Sequence, residues 1–179
     1  MLDLTKGQSL DLNKEAGKPV TKVRVGAGWD VAPGKSVDLD LWAIIRGAQP
    51  IFYKNLVGSG VTLDGDDRTG AGSADGADEN MHIDVAALPD GEHTVVVNIY
   101  DAVSKGQFFK DVSRAFAEIV DEETGTVLGK FNMTEAGGDN SALLVGRITK
   151  ANGALTFTAV GEYSNKDITA LVTENGGQA

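Results

Sequence analysis

Apolar and polar residues alternate with a period of two along most of the chain, the spacing that puts successive side chains on opposite faces of a β-strand. Over residues 21–25, Lys22 and Arg24 alternate with Val23 and Val25, and Gly26 and Gly28 then precede Trp29 and Asp30, so a strand is predicted to enter a loop. Residues 38–45 form the next predicted strand. Strands at 81–85 and 94–100 follow, and Leu88-Pro89-Asp90-Gly91 between them has turn chemistry, which predicts that the two pair as a hairpin. The turn Glu122-Glu123-Thr124-Gly125 leads into a strand at 127–131. Asn152-Gly153, between 143–150 and 155–160, is the dipeptide favoured by a two-residue hairpin.

Residues 105–121 fit two periods. Phe108, Val112, Ala115, Phe116 and Ile119 share a helical face, whereas Phe116, Glu118 and Val120 alternate, so a short helix followed by a strand is expected. Asp167 can cap a short helix bearing Ile168, Leu171 and Val172, with Gly176 and Gly177 ending it and the last residues fraying. Many short strands, glycine-rich turns and the lack of a βαβ rhythm predict an all-β protein. The expected architecture is a β-sandwich of two mainly antiparallel sheets with one or two short helices, in a single domain over residues 1–179.

Composition narrows the function. The 23 glycines among 179 residues exceed the roughly 7% of ordinary usage and call for many tight turns. A formal net charge of −10 repels phosphate backbones and anionic lipid, which argues against a nucleic-acid partner. The chain has no Cys, which removes thiolate chemistry and Cys-ligated metals and suits a reducing cytoplasm. With no run near the roughly 18 apolar residues of a membrane span and no basic-then-apolar start, a soluble, unprocessed cytoplasmic protein without membrane insertion is expected.

Residues 64–79 are the most unusual stretch, with six carboxylates, four glycines and one arginine. Crowded carboxylates repel one another, and a divalent cation offsets several at once, while glycines let the backbone aim carbonyls inward. A solvated acidic loop has the same composition. An EF-hand is excluded: counted from Asp64, the sixth position is Thr69 rather than Gly and the twelfth is Asp75 rather than Glu. Asp38 and Asp40 share one strand face with Trp42, which allows either a pair of ligands or the outer face of an edge strand. Asp30 and Asp101 are loop acids that could reach a cation or order a turn, Asp101 ranking lower as a ligand.

These residues have a familiar order. Gly26-Ala27-Gly28-Trp29-Asp30, Val37-Asp38-Leu39-Asp40, Phe52-Tyr53-Lys54-Asn55-Leu56, Gly65-Asp66-Asp67-Arg68-Thr69-Gly70-Ala71-Gly72 and Ile99-Tyr100-Asp101-Ala102 resemble the TerD family of tellurite-resistance proteins. The likeness extends from Leu4-Thr5-Lys6-Gly7 to Phe157-Thr158-Ala159-Val160-Gly161. It implies a calcium-binding β-sandwich in bacterial tellurite and stress resistance, related to proteins that bind cyclic AMP, with protein partners in a stress-response complex and no known reaction. Carried over, the family's calcium ligands fall on Asp66, Asp67, Asp75, Asp78 and Glu79, on Asp38 and Asp40, and on Asp30, helped by carbonyls near Thr69 and Gly70. The chain departs from the pattern at Asp67, where Asn is usual, and at Ser73-Ala74, which reads as an insertion before the closing acids.

Two other classes compete. A hydrolase could use Asp38 and Asp40 as acid and base, but there is no nucleophile motif or phosphate loop, and His82 and His93 read as ordinary surface residues, His93 in a turn. A sandwich binding a cyclic nucleotide or carbohydrate could stack the ligand on Trp29, Trp42 or Tyr53, residues that equally suit core packing.

Overall fold

The computed structural model describes residues 1–31, 33–64 and 77–179. The strands are β1 (Leu2–Leu4), β2 (Ser9–Asp11), β3 (Lys22–Val31), β4 (Leu39–Ile44), β5 (Val57–Gly58), β6 (Val61–Leu63), β7 (Glu79–Asp84), β8 (Gly91–Ile99), β9 (Val112–Asp121), β10 (Thr126–Asn132), β11 (Ala142–Ala151) and β12 (Ala154–Ser164). Short helices α1 (Leu12–Ala16), α2 (Ala102–Lys105) and α3 (Ile168–Glu174) and a 3-10 turn at Phe109–Asp111 complete the described elements. Seven strands form one sheet in the order β1-β10-β9-β3-β7-β6-β5, and five form the other as β2-β12-β11-β8-β4. Pairing is antiparallel except between β1 and β10. The expected all-β sandwich is therefore observed, with one more helix than expected.

Alternation drives the packing. Val23, Val25 and Ala27 of β3 meet Leu39, Leu41 and Ala43 of β4 in one core cluster between the sheets. The five-stranded sheet buries its outer face as well: Trp42, Ile44, Val96, Leu144 and Val160 pack against Leu171 and Val172 of α3. All six residues of β4 are buried in consequence. The face shared by Asp40 and Trp42 is thus not an open edge-strand surface.

The structure corrects three expectations. Strands β7 and β8 do not pair: β7 lies between β3 and β6, and β8 between β11 and β4. Turn residues require a chain reversal but do not choose the hydrogen-bonding partner, and here the connection crosses from one sheet to the other. Lys150 holds that crossing, donating from Nζ to Ala86 O (3.2 Å) and Leu88 O (2.6 Å). His93 is in β8 and only 2% exposed, not in a surface turn; its Nδ1 accepts from Arg46 N–H (3.1 Å) and its Nε2 bonds Pro89 O (2.8 Å). The C-terminal residues do not fray, because Gln178 donates from its amide to Ala48 O (2.9 Å) and from its side chain to Gly47 O (3.1 Å).

Other local expectations hold. Asn152 and Gly153 take φ values of 53° and 74° between β11 and β12, the left-handed pair that a tight hairpin needs. Asp167 caps α3 by accepting from Thr169 N–H (2.8 Å). Of the helix-then-strand reading of 105–121 only the strand stands: α2 ends at Lys105, a single 3-10 turn at Phe109–Asp111 precedes β9, and Val112, Ala115, Phe116 and Ile119 of the expected helical face lie in that strand.

β3 runs six residues further than the alternation suggested, through the glycines. A Cβ on Gly28 would lie 2.4 Å from the Phe116 ring of β9, so the glycine is required by close approach of the two strands. Gly28→Ala is expected to destabilise the protein by about 1–3 kcal/mol in urea unfolding, because the Phe116 ring must leave its position.

Candidate metal centre

The pairing of β3 with β7 ends at Ala27 and Glu79. One residue earlier, Asp78 N–H donates to Ala27 O (2.8 Å), and the Asp78 carboxylate accepts from Trp29 N–H (2.8 Å) where β3 shifts register against β9. Asp78 therefore extends the ladder with a side chain after the strand backbone has run out. Glu79 does the same between sheets. It is 4% exposed, and its Oε2 accepts from Leu41 N–H of β4 at 2.6 Å. β4 is the last strand of its sheet, and its outward amides need partners in a dry interior. Ala43 finds one in Ile51 (2.9 Å), and Leu41 finds one in Glu79.

Asp38 and Asp40 flank the start of β4. Tyr100 N–H donates to the Asp38 carbonyl (2.8 Å), and Asp40, 3% exposed, lies opposite Asn98 of β8. The two acids line one cleft of about 530 Å³ together with Ser36, Tyr53, Tyr100, Lys105 and Gln107. Gln107 was not singled out from the sequence. Its Nε2 donates to Ser36 O (2.6 Å), and its buried Oε1 accepts no hydrogen bond among the described residues. A neutral oxygen held beside two carboxylates is a donor set that suits a hard cation. No local pattern marks such a residue, since its partners come from a different strand and loop.

The remaining candidate ligands divide. Asp30 pairs with the Arg114 guanidinium on β9 and so faces a cation of the protein itself. Asp101 holds the left-handed conformation (φ 53°) ahead of α2 and makes no capping bond with its side chain. Asp66, Asp67, Thr69, Gly70 and Asp75 lie outside the described residues. Among the described residues no three His, Asp or Glu side chains are grouped to hold a metal.

On the outer face of the seven-stranded sheet, His82 stands between Asp64, 2.9 Å from Nε2, and Glu122, which bonds Nδ1. Arg24 lies on the neighbouring strand, pairing with Glu118 at 3.0 Å. Burial opposes protonation of His82, but hydrogen bonds and charge from Asp64 and Glu122 together outweigh it and raise the pKa above the ordinary 6.5. His82 is thus a charge-paired group rather than a bystander.

Two measurements follow. Glu79→Ala should cost about 1–3 kcal/mol in urea unfolding by stranding Leu41 N–H, and Glu79→Gln, which keeps an acceptor oxygen, should cost clearly less. NMR titration should place His82 above 6.5, and Glu122→Gln should lower it. Because the folded pKa is raised, the His82 contribution to stability is complete below the unfolded pKa and is lost as pH rises through the folded one.

Comparison with known proteins accounts for nearly the whole chain. Residues 1–174 match the TerD domain. The chain is 35% identical over 192 aligned positions to general stress protein 16U of Bacillus subtilis (strain 168), covering 99% of this chain and 98% of that protein. It is 37% identical over 174 positions to the tellurium resistance protein TerD of an Alcaligenes species, covering 89% of each. The crystal structure of a homologue of telluride resistance protein (TerD) from Streptomyces coelicolor A3(2) superposes with a TM-score of 0.69 at 21% identity, over 89% of this chain and 99% of that one, and shares the fold. On the domain match and these identities, the chain belongs to the TerD family.

Proposed function

We propose that this chain is a calcium-binding, non-catalytic stress-response protein that works in the cytoplasm as a calcium-responsive adaptor. The observation that carries the reading is the join between the acidic segment and the fold. The segment containing Asp66, Asp67 and Asp75 leads directly into Asp78 and Glu79, whose carboxylates bond β3 and β4, and β4 begins at the Asp38–Asp40 cleft. Order imposed on that segment by a cation would reach both sheets through two hydrogen bonds. Carboxylates, the Gln107 oxygen and carbonyls near Thr69 and Gly70 are the hard oxygen donors that calcium takes, and Asp67 keeps an oxygen where the family has Asn.

A role in tellurium resistance fits the names of the relatives, but direct handling of an oxyanion does not fit a chain of charge −10 without Cys. An adaptor that gains a docking surface for a protein partner when calcium orders the acidic segment fits both constraints. Among the described residues no helix is long and apolar enough to cross a membrane.

Calorimetric titration with calcium, using magnesium as competitor, tests the first half of the proposal. Saturable binding to the wild-type protein and its loss in Asp66→Ala/Asp67→Ala are the expected results; absence of binding to the wild type would sink the reading. Crosslinking in cell extract with calcium or EDTA tests the second half, and equal partner capture in both would remove the adaptor role.

A further inference from the structure

A second cleft, of about 700 Å³, opens over the outer face of the five-stranded sheet beside α3, within the roughly 300–1,000 Å³ typical of small-molecule sites. Four rings line it in succession. Trp42 stacks on Phe52 with centroids 4.1 Å apart, Phe52 meets Tyr53 edge-on at 5.4 Å, and Tyr53 meets Tyr100 edge-on at 6.0 Å. Each ring touches the next, so the four form one continuous wall. Tyr100, at its outer end, is 44% exposed. A core aromatic would be covered, and Tyr100 is not.

Hydrogen-bonding groups rim the wall. Asn98, Ser141 and Asn165 line the same cleft. The side chains of Ser141 and Asn165 make no hydrogen bond among the described residues, and Asn98 makes only a long one, 3.4 Å, to Ile99 O. The Trp42 indole N–H also has no acceptor among the described residues.

Charge selects the ligand class. Asp40, Asp101 and Asp167 line the cleft of a chain carrying −10, which disfavours a phosphate or other anion. Lys54 lines it too, with Nζ 5.7 Å from the Tyr53 centroid, and Lys166 is on the rim, which disfavours a cation. Lys105 sits 5.1 Å from the Tyr100 centroid but lines the adjoining cleft rather than this one. A purely apolar ligand would desolvate the amides without replacing their water. What remains is a neutral ring with an apolar face and a polar edge.

We propose that this cleft binds a neutral saccharide, whose C–H face rests on Tyr100 while its hydroxyls bond Asn98, Ser141 and Asn165. The proposal does not require calcium, because none of these four residues is a candidate metal ligand, although Asp40, Tyr53 and Tyr100 line both this cleft and the candidate metal centre.

The test is calorimetry of the full chain in EDTA against neutral tetrasaccharides of glucose, galactose, mannose and N-acetylglucosamine, with AMP and tetramethylammonium as probes of the anionic and cationic classes. At least one tetrasaccharide should bind saturably. Binding should weaken tenfold or more in Tyr100→Ala and measurably in Asn165→Ala, an exposed substitution that leaves folding intact. Absence of saturable saccharide binding up to about 10 mM overturns the proposal. So does binding that is unchanged in both variants, or binding of AMP or tetramethylammonium that Tyr100→Ala abolishes. A saccharide result in EDTA stands whether or not the protein binds calcium, so the two readings fail separately.

Discussion

The hydrogen bond from Leu41 N–H to the Glu79 carboxylate, at 2.6 Å, answers a constraint that shapes the whole molecule. β4 ends its sheet, yet α3 covers one of its faces and the opposite sheet covers the other. An edge strand in that position cannot give its outward amides to water, and an unpaired buried amide costs about as much as a hydrogen bond contributes. Ile51 satisfies one amide from the following loop, and Glu79 satisfies another from across the sandwich. The ladder with β8 sets the register of β4, and with it the places of Asp40 and Trp42, while the Glu79 bond ties that strand to β7 of the opposite sheet.

Carboxylates in this acidic chain therefore do two different things. Some are structural. Asp121, 1% exposed, accepts from Lys18 Nζ (2.8 Å) and from Glu123 N–H and Thr124 Oγ1. Its pKa is held below the ordinary carboxylate value mainly by the Lys18 bond, against the opposing effect of burial. Asp78 and Glu79 stand in for strand backbone. Others, Asp38 and Asp40 among them, line a cleft next to an oxygen with no donor among the described residues. The distinction matters because a carboxylate bound to a backbone amide can still bridge to a cation, whereas one facing a guanidinium, as Asp30 does, has its charge offset already.

The two clefts share Asp40, Tyr53 and Tyr100 along their common wall. The candidate metal centre and the aromatic cleft are thus adjacent features of one end of the sandwich, built on the start of β4 and the end of β8. A residue such as Tyr100 contributes to both through its position after a strand that is hydrogen-bonded on each side, to β4 and to β11. Rigid strands deliver the side chains, and the short α2 and α3 segments close the walls.

Much of this was legible in the chain itself. Alternating valines and leucines determined the strands, since period two has only one way to bury an apolar face, and Asn152-Gly153 determined a hairpin because its φ values are local requirements. Asp167 determined the start of α3 for the same reason. Strand partnership was not local: the turn at residues 88–91 reverses the chain whether β7 and β8 share a sheet or not, and only packing of the two layers separated them. Burial was not local either. His93 and Asp40 are polar residues whose partners, Arg46 and Pro89 for one and the covered face of β4 for the other, arrive from elsewhere in the chain. The acidic character of the candidate metal centre belonged to the sequence; that Glu79 spans the sheets, that Asp30 faces Arg114 and that Gln107 lines one cleft with Asp38 and Asp40 were decided by tertiary structure, because each depends on distances between segments far apart along the chain.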